Sequence, residues 1–149
     1  MSISRNLSFL ASTLGSTGAA INTQEIVTVA NTAATGNINF DILTQSIMHY
    51  TANATSNWTL NIRGNSSNTF NSVVSANQSL TIAFLATQGA TAYYANVISI
   101  DSTTVTPKWA GGTAPTAGNA NSTDVYSLTI VKSANANTYI VLATQTKFA

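Results

Sequence analysis

Hydrophobic and polar residues alternate along most of the chain after Gln24. In the segment Asn37–Leu43, for example, Ile38, Phe40 and Ile42 fall on one side of an extended chain. A period of two residues with Val, Ile, Thr and aromatic side chains is typical of a strand with one buried face. The pattern predicts strands over 25–30, 37–43, 47–52, 58–64, 79–87, 92–101, 103–109, 124–132 and 138–148.

Clusters of Asn, Ser, Gly and Ala separate the predicted strands, as in the GNSSN stretch at 64–68. Gly tolerates positive φ, and Asn and Ser bond to nearby backbone, so these clusters predict turns. Many short strands at this spacing predict an all-β fold, a single antiparallel β-sandwich with a jelly-roll-like arrangement. No segment predicts a helix long enough for the crossovers of a parallel α/β sheet, and no internal repeat is evident.

The N-terminal region differs from the rest. Small polar residues before the first predicted strand indicate a linker. The chain is therefore divided into an arm and linker, 1–24, and a sandwich domain, 25–149. No apolar core of a signal peptide is present. Ser4 is a candidate helix cap, and the arm is either a loose tail or a docking element. The docking hypothesis names these particle contacts: Arg5, Asn6, Leu7, Phe9 and Leu10.

Pro107 interrupts the last predicted strand before a long loop, 110–123, of small uncharged residues. Proline cannot donate to a strand ladder, so Pro107 predicts an edge strand or a strand end. Trp109 is interpreted either as an aromatic at the rim of the core or as an exposed contact for a partner or glycan. We expect the loop to be ordered by packing on a neighbour, because small residues permit close approach.

Charge is scarce. Only 6% of residues are charged, far below the usual quarter, and the formal net charge is +1. Such a surface cannot rely on charge repulsion for solubility, which favours a protein packed in an assembly. The five basic residues are scattered, so the footprint of a nucleic-acid partner is missing. No stretch reaches the length of a membrane-spanning helix.

Candidate catalytic chemistry is weak. His49 is the single histidine, and nothing in the strand pattern brings Asp41 or Ser46 to it as a triad requires. The chain has no Cys, and no metal-ligand spacing or phosphate-binding loop occurs, so we expect neither enzyme activity nor a metal or cofactor.

Aromatic surface residues offer more. Tyr93 and Tyr94 are adjacent, so a strand would point one inward and the other outward. An outward Tyr among Asn and Thr is either part of an interface, whose composition it resembles, or a lone solvent-exposed side chain. The predicted partner contacts are Tyr94, Lys108 and Trp109.

Several motifs resemble a module of virion structural proteins from marine tailed phages, especially cyanophages. The resemblance covers about residues 38–149, and the opening Ile3–Leu7 is similar to the start of many phage fibre-like proteins. Its most specific pieces are WTLNIRG at 58–64, AYY at 92–94, PKW at 107–109 with the following GGTAP, and QTKFA at 145–149.

The resemblance implies a non-enzymatic β-domain displayed on a virion. We expect a capsid decoration or cement subunit, a homotrimer that contacts other virion proteins. The alternative is a tail-fibre or receptor-binding tip that contacts the host surface. An enzyme such as a glycan hydrolase is a third hypothesis, but the pair of acids that it needs is not visible.

Overall fold

A computed structural model describes residues 25–149, so the predicted arm of residues 1–24 lies outside the described residues. Two β-sheets contain all ten strands of the described part. The strands are β1 Val27–Ala33, β2 Gly36–Asp41, β3 Ile47–Ala52, β4 Trp58–Arg63, β5 Gln78–Thr87, β6 Ala95–Ile100, β7 Thr103–Val105, β8 Lys108–Trp109, β9 Thr123–Lys132 and β10 Tyr139–Phe148. One helical turn, α1 (Phe70–Val73), and a 3₁₀ turn, Ala110–Gly112, complete the described elements.

The first six strands alternate between the two sheets. The six-stranded sheet has the order β1-β3-β5-β9-β10-β8, and the four-stranded sheet has the order β2-β4-β6-β7. Strands β1, β3 and β5 are parallel neighbours, as are β2, β4 and β6. The chain therefore coils around the core, adding one strand to each sheet per turn, before the antiparallel strands β9 and β10 complete the larger sheet.

The predicted all-β sandwich is confirmed, but antiparallel pairing is wrong for five of the eight strand pairs. A jelly-roll arrangement is not confirmed, because jelly rolls are antiparallel. Period-two alternation is the same in both kinds of sheet, so it does not report strand direction. The crossover that normally needs a helix is here made by a strand of the opposite sheet.

Aromatic side chains fill the centre of the sandwich. The Trp58 ring packs edge-on against Phe84 and Tyr126, with centroids 5.9 and 5.7 Å apart. The Tyr126 hydroxyl accepts a hydrogen bond from the Ala95 backbone N–H at 3.2 Å. The polar end of this fully buried Tyr is thereby satisfied, as the interior requires.

Two charged side chains hold the helical turn α1 at one end of the sandwich. The Asp101 carboxylate accepts from the backbone N–H groups of Phe70, at 2.6 Å, and Asn71, at 3.0 Å. The buried Lys132 ammonium donates to the carbonyls of Asn71 and Val74, both at 2.7 Å. These bonds satisfy backbone groups that a single helical turn leaves unpaired.

All nine predicted strand segments contain strand, and the segment 103–109 is split in two. Strand β7 ends at Val105 on the edge of the four-stranded sheet, and β8 begins at Lys108 in the other sheet. Pro107 lies between them, which confirms the predicted strand end. Its missing N–H explains why the chain leaves one sheet here.

Candidate functional site

The outer face of the six-stranded sheet carries charge only at its β8 edge. Its five longer strands present no Asp, Glu, Lys or Arg at any outward position, and Lys108 lies at the edge on β8. We call the outer surface of these five longer strands the uncharged face. Its outward residues are Val27, Val29, Ile47, His49, Thr51, Ser79, Thr81, Ala83, Leu85, Thr87, Thr123, Val125, Ser127, Thr129, Val131, Ile140, Leu142, Thr144, Thr146 and Phe148.

Large apolar side chains on the uncharged face are open to solvent. Val29 is 65% exposed, Phe148 58% and Leu142 46%. Few side-chain hydrogen bonds link its strands, and an example is the 2.9 Å bond between the hydroxyls of Thr81 and Thr129. Exposed apolar groups at this density are typical of a surface that contacts another molecule.

The outer face of the four-stranded sheet has the opposite character. Asn39, Asn61 and Ser99 lie side by side on β2, β4 and β6. The Asn61 amide donates to Asn39 Oδ1 at 2.8 Å, and its Oδ1 accepts from the Ser99 hydroxyl at 3.0 Å and from the Ser102 N–H at 2.8 Å. Parallel pairing in register places these short polar side chains within bonding distance of one another.

A cavity of about 390 Å³ opens on this face, and we call it the polar groove. Its floor is the sheet, and the loop 64–69 and the turn at 101–102 also line it. Gly64 allows the loop to fold back, because a Cβ there would lie 2.6 Å from the Asn68 carbonyl oxygen. Its lining is Asn37, Asn39, Asn61, Arg63, Asn65, Ser66, Ser67, Asn68, Thr69, Asp101 and Ser102.

The charged side chains in the polar groove already have hydrogen-bonding partners within the chain. Arg63 Nε donates to Asp41 Oδ1 at 2.6 Å, and this hydrogen bond raises the pKa of the guanidinium. Asp101 receives the two backbone N–H groups at the start of α1. The groove therefore offers hydrogen-bonding groups, while its charged side chains already have hydrogen-bonding partners within the chain.

The predicted partner contacts lie in two places. Trp109 packs against the core and lines a cavity of about 220 Å³ with Pro107 and Pro115, which confirms the rim interpretation. Lys108 is exposed and lines a second cavity of about 330 Å³ beside Leu142. Tyr94 lines neither cavity.

The prediction that Tyr93 and Tyr94 point to opposite sides is wrong. Both residues are half-buried and pack against the core, because they lie before β6, where strand alternation does not apply. The backbone N–H and carbonyl of Tyr93 bond to the Gln88 side chain, at 3.0 and 2.7 Å.

The long loop is held from within the chain at its C-terminal part. The fully buried Asp124 carboxylate accepts from the Asn119 N–H at 3.0 Å, from the Asn119 amide at 2.5 Å and from Gln88 Nε2 at 3.1 Å. Gly118 packs against the Tyr93 backbone, where a Cβ would overlap it. The expectation that a neighbour orders the whole loop is therefore wrong for residues 118–122.

On the uncharged face, His49 Nε2 forms a 3.4 Å hydrogen bond with the Thr87 hydroxyl. Within residues 25–149, no three His, Cys, Asp or Glu side chains cluster as metal ligands do. No helix of that region has the length and apolar character needed to cross a membrane. The predicted docking contacts from Arg5 to Leu10 lie outside the described residues.

Comparison with known proteins returned no matching family model, curated protein or solved structure. The resemblance to phage modules therefore stays a prediction.

Sequence reasoning missed the polar groove, although a signal for it is present. The tetrapeptides INFD at 38–41, LNIR at 60–63 and ISID at 98–101 share one pattern: apolar, Asn or Ser, apolar, charged. Their first three positions pair in register across β2, β4 and β6. Strand-sized patterns that recur in this way indicate coils that stack on one another.

Proposed function

We propose that the protein is a non-enzymatic structural subunit of a tailed-phage virion, specifically a capsid decoration or cement subunit that works as a homotrimer. The observation that carries the proposal is the uncharged face. Its five longer strands present several exposed apolar side chains and no carboxylate or ammonium, and Lys108 lies only at the edge, so its centre can lose water without stranding a charge.

The size of the uncharged face supports this role. A strand spacing of about 4.8 Å and a rise of about 3.3 Å per residue give its five strands a flat area of roughly 700 Å². Each partner of a standard protein–protein interface contributes about that area. The scarcity of charge along the chain and the resemblance to phage modules support the same proposal.

The N-terminal arm completes the proposal. Arg5, Asn6, Leu7, Phe9 and Leu10 would tie each copy to other virion proteins, and Lys108 and Trp109 lie at the edge of the six-stranded sheet, where a neighbouring copy can contact them. Binding to the assembled shell would stabilise the particle, because a ligand stabilises the state that it binds.

The first test places a charge in the middle of the uncharged face. We expect Thr129→Lys to convert the trimer to monomer in analytical ultracentrifugation, because the ammonium would be buried without a partner. Thr59→Lys, at an outward position of β4, is the matched control and should leave the trimer intact. A monomeric parent protein, or a trimer that tolerates Thr129→Lys, would contradict the proposal.

The second test concerns the arm. We expect a chain lacking residues 2–14 to trimerise but to be lost from purified particles, as measured by cryo-EM occupancy. Full occupancy of the truncated chain would remove the docking role of the arm.

A receptor-binding tip is the second candidate, and the polar groove is the observation that favours it. An open groove rich in amides suits contact with a polar molecule on a host surface. Imaging that finds the subunit at the tail rather than on the capsid would select this candidate.

A further inference from the structure

The polar groove is built before any ligand arrives. The Asn65 side chain accepts from the N–H groups of Ser67 and Asn68, both at 2.8 Å, which fixes the loop that lines one side. On the floor, Asn61 is 3% exposed and is held by three hydrogen bonds. A site that is already ordered avoids the entropy cost of ordering on binding.

Several polar atoms at the mouth of the groove remain available. Among the described residues, no hydrogen bond uses Asn37 Oδ1, Asn39 Nδ2, Asn65 Nδ2 or Asn68 Oδ1, although the other half of each amide is bonded. The Ser66 hydroxyl is also unused in that part of the chain. Fixed amides with one free donor or acceptor each match a ligand that carries many hydroxyl groups.

The charge balance narrows the ligand class. Arg63 is paired with Asp41, and Asp101 is satisfied by backbone N–H groups. A phosphate or sulfate ligand would find no free cation, and a basic peptide would find no free carboxylate. A neutral ligand needs no countercharge from the groove, so the existing partners of Arg63 and Asp101 can stay in place when it binds.

We propose that the polar groove binds a neutral saccharide of a few sugar units. Its volume of about 390 Å³ lies within the range of small-molecule sites. No aromatic ring lines the groove, so binding rests on hydrogen bonds and is weak for one copy. Several copies on one assembly would raise the apparent affinity.

The inference goes beyond the proposed structural role and does not depend on it. The groove and the uncharged face lie on opposite sheets of the sandwich, so a contact made by one face does not use the residues of the other. Failure of trimer formation and failure of saccharide binding are therefore separate results.

The test is a titration of the full-length ¹⁵N-labelled protein with maltotriose, cellotriose, mannotriose and chitotriose, followed by NMR of the Asn side-chain amides. We expect saturable shifts of Asn37, Asn39 and Asn68 with at least one of these sugars at millimolar concentration, equivalent to about −4 kcal/mol. The exposed substitutions Asn37→Ala and Asn68→Ala should each weaken binding about fivefold, as for one lost hydrogen bond.

Thr129→Ala, on the opposite sheet, should leave binding unchanged. Three results would overturn the inference. They are the absence of saturable shifts with all four sugars, binding that survives both Asn substitutions, and stronger binding of sialyllactose or a sulfated trisaccharide than of any neutral sugar.

Discussion

On the four-stranded sheet, outward polar side chains bond to one another across neighbouring strands, whereas on the uncharged face most outward groups face solvent. Asn61 joins Asn39, Ser99 and Ser102, while Thr81 and Thr129 form an isolated pair. A face whose hydrogen bonds are satisfied internally is suited to remain in water. Covering a face of exposed apolar groups with another surface is favourable, because apolar area is removed from water.

The largest difference between the faces should appear in stability. We expect Asn61→Ala to lower the free energy of unfolding by about 2–3 kcal/mol, because Ser99 and the Ser102 N–H would lose a buried acceptor. Thr129→Ala should cost about 0.2–1 kcal/mol, the range of a cross-strand pair. Urea unfolding of both variants measures the two losses in free energy of unfolding. Equal losses would contradict the expected difference between the faces.

The second prediction concerns the core that both faces cover. Burial raises the pKa of Tyr126 above its ordinary value of 10.0. Between that value and the raised pKa, the folded protein binds more protons than the unfolded chain. The contribution of Tyr126 to the free energy of unfolding is therefore fully present below pH 10.0 and is lost as the pH rises above it.

Tyr126→Phe should therefore flatten the alkaline loss of stability by up to about 1.4 kcal/mol per pH unit. Unfolding by urea at several alkaline pH values measures the slope. Tyr50, which is half-buried and has its pKa raised by desolvation, is the matched control, and Tyr50→Phe should flatten the slope less. An unchanged slope in Tyr126→Phe would assign the alkaline loss to surface groups.

The smallest effect is expected from the ion pair beside the polar groove. Arg63 and Asp41 side chains are 28% and 25% exposed, so Arg63→Met should cost less than about 1 kcal/mol. Thermal melts at low and high salt should converge for the parent and the variant, since salt screens the pair. A large loss that salt does not change would show that Arg63 acts through packing of its stem.

Alternation in the sequence predicted the strands and the sandwich because burial of one face per strand is a local property. Ile38, Phe40, Leu60 and Ile62 are all buried, as the pattern requires. Strand direction was not predictable in the same way, since it depends on which distant strands pair. The recurring motif around Asn39, Asn61 and Ser99 does carry that information, but only through comparison of segments far apart in the chain.

The burial of some charged residues was also not predicted from the sequence. Asp124 and Lys132 occupy inward positions at the two ends of β9, where charged residues are rare in a core. Their partners are Gln88, Asn119 and the carbonyls of Asn71 and Val74, which no local pattern identifies. The half-buried position of Tyr94 was not predictable for a similar reason, because it depends on where β6 begins.

The coiled arrangement of the first six strands also constrains how fast the protein can fold. Bonded partners are 21 positions apart for Thr51 and Ala30, 38 for Asn61 and Ser99, and 48 for Thr81 and Thr129. Folds dominated by such distant contacts close many loops before they gain their interactions, and they fold in milliseconds to seconds. During that interval the chain exposes apolar strands and has few charges to keep copies apart. Folding of a newly made copy therefore competes with its association with other unfolded copies.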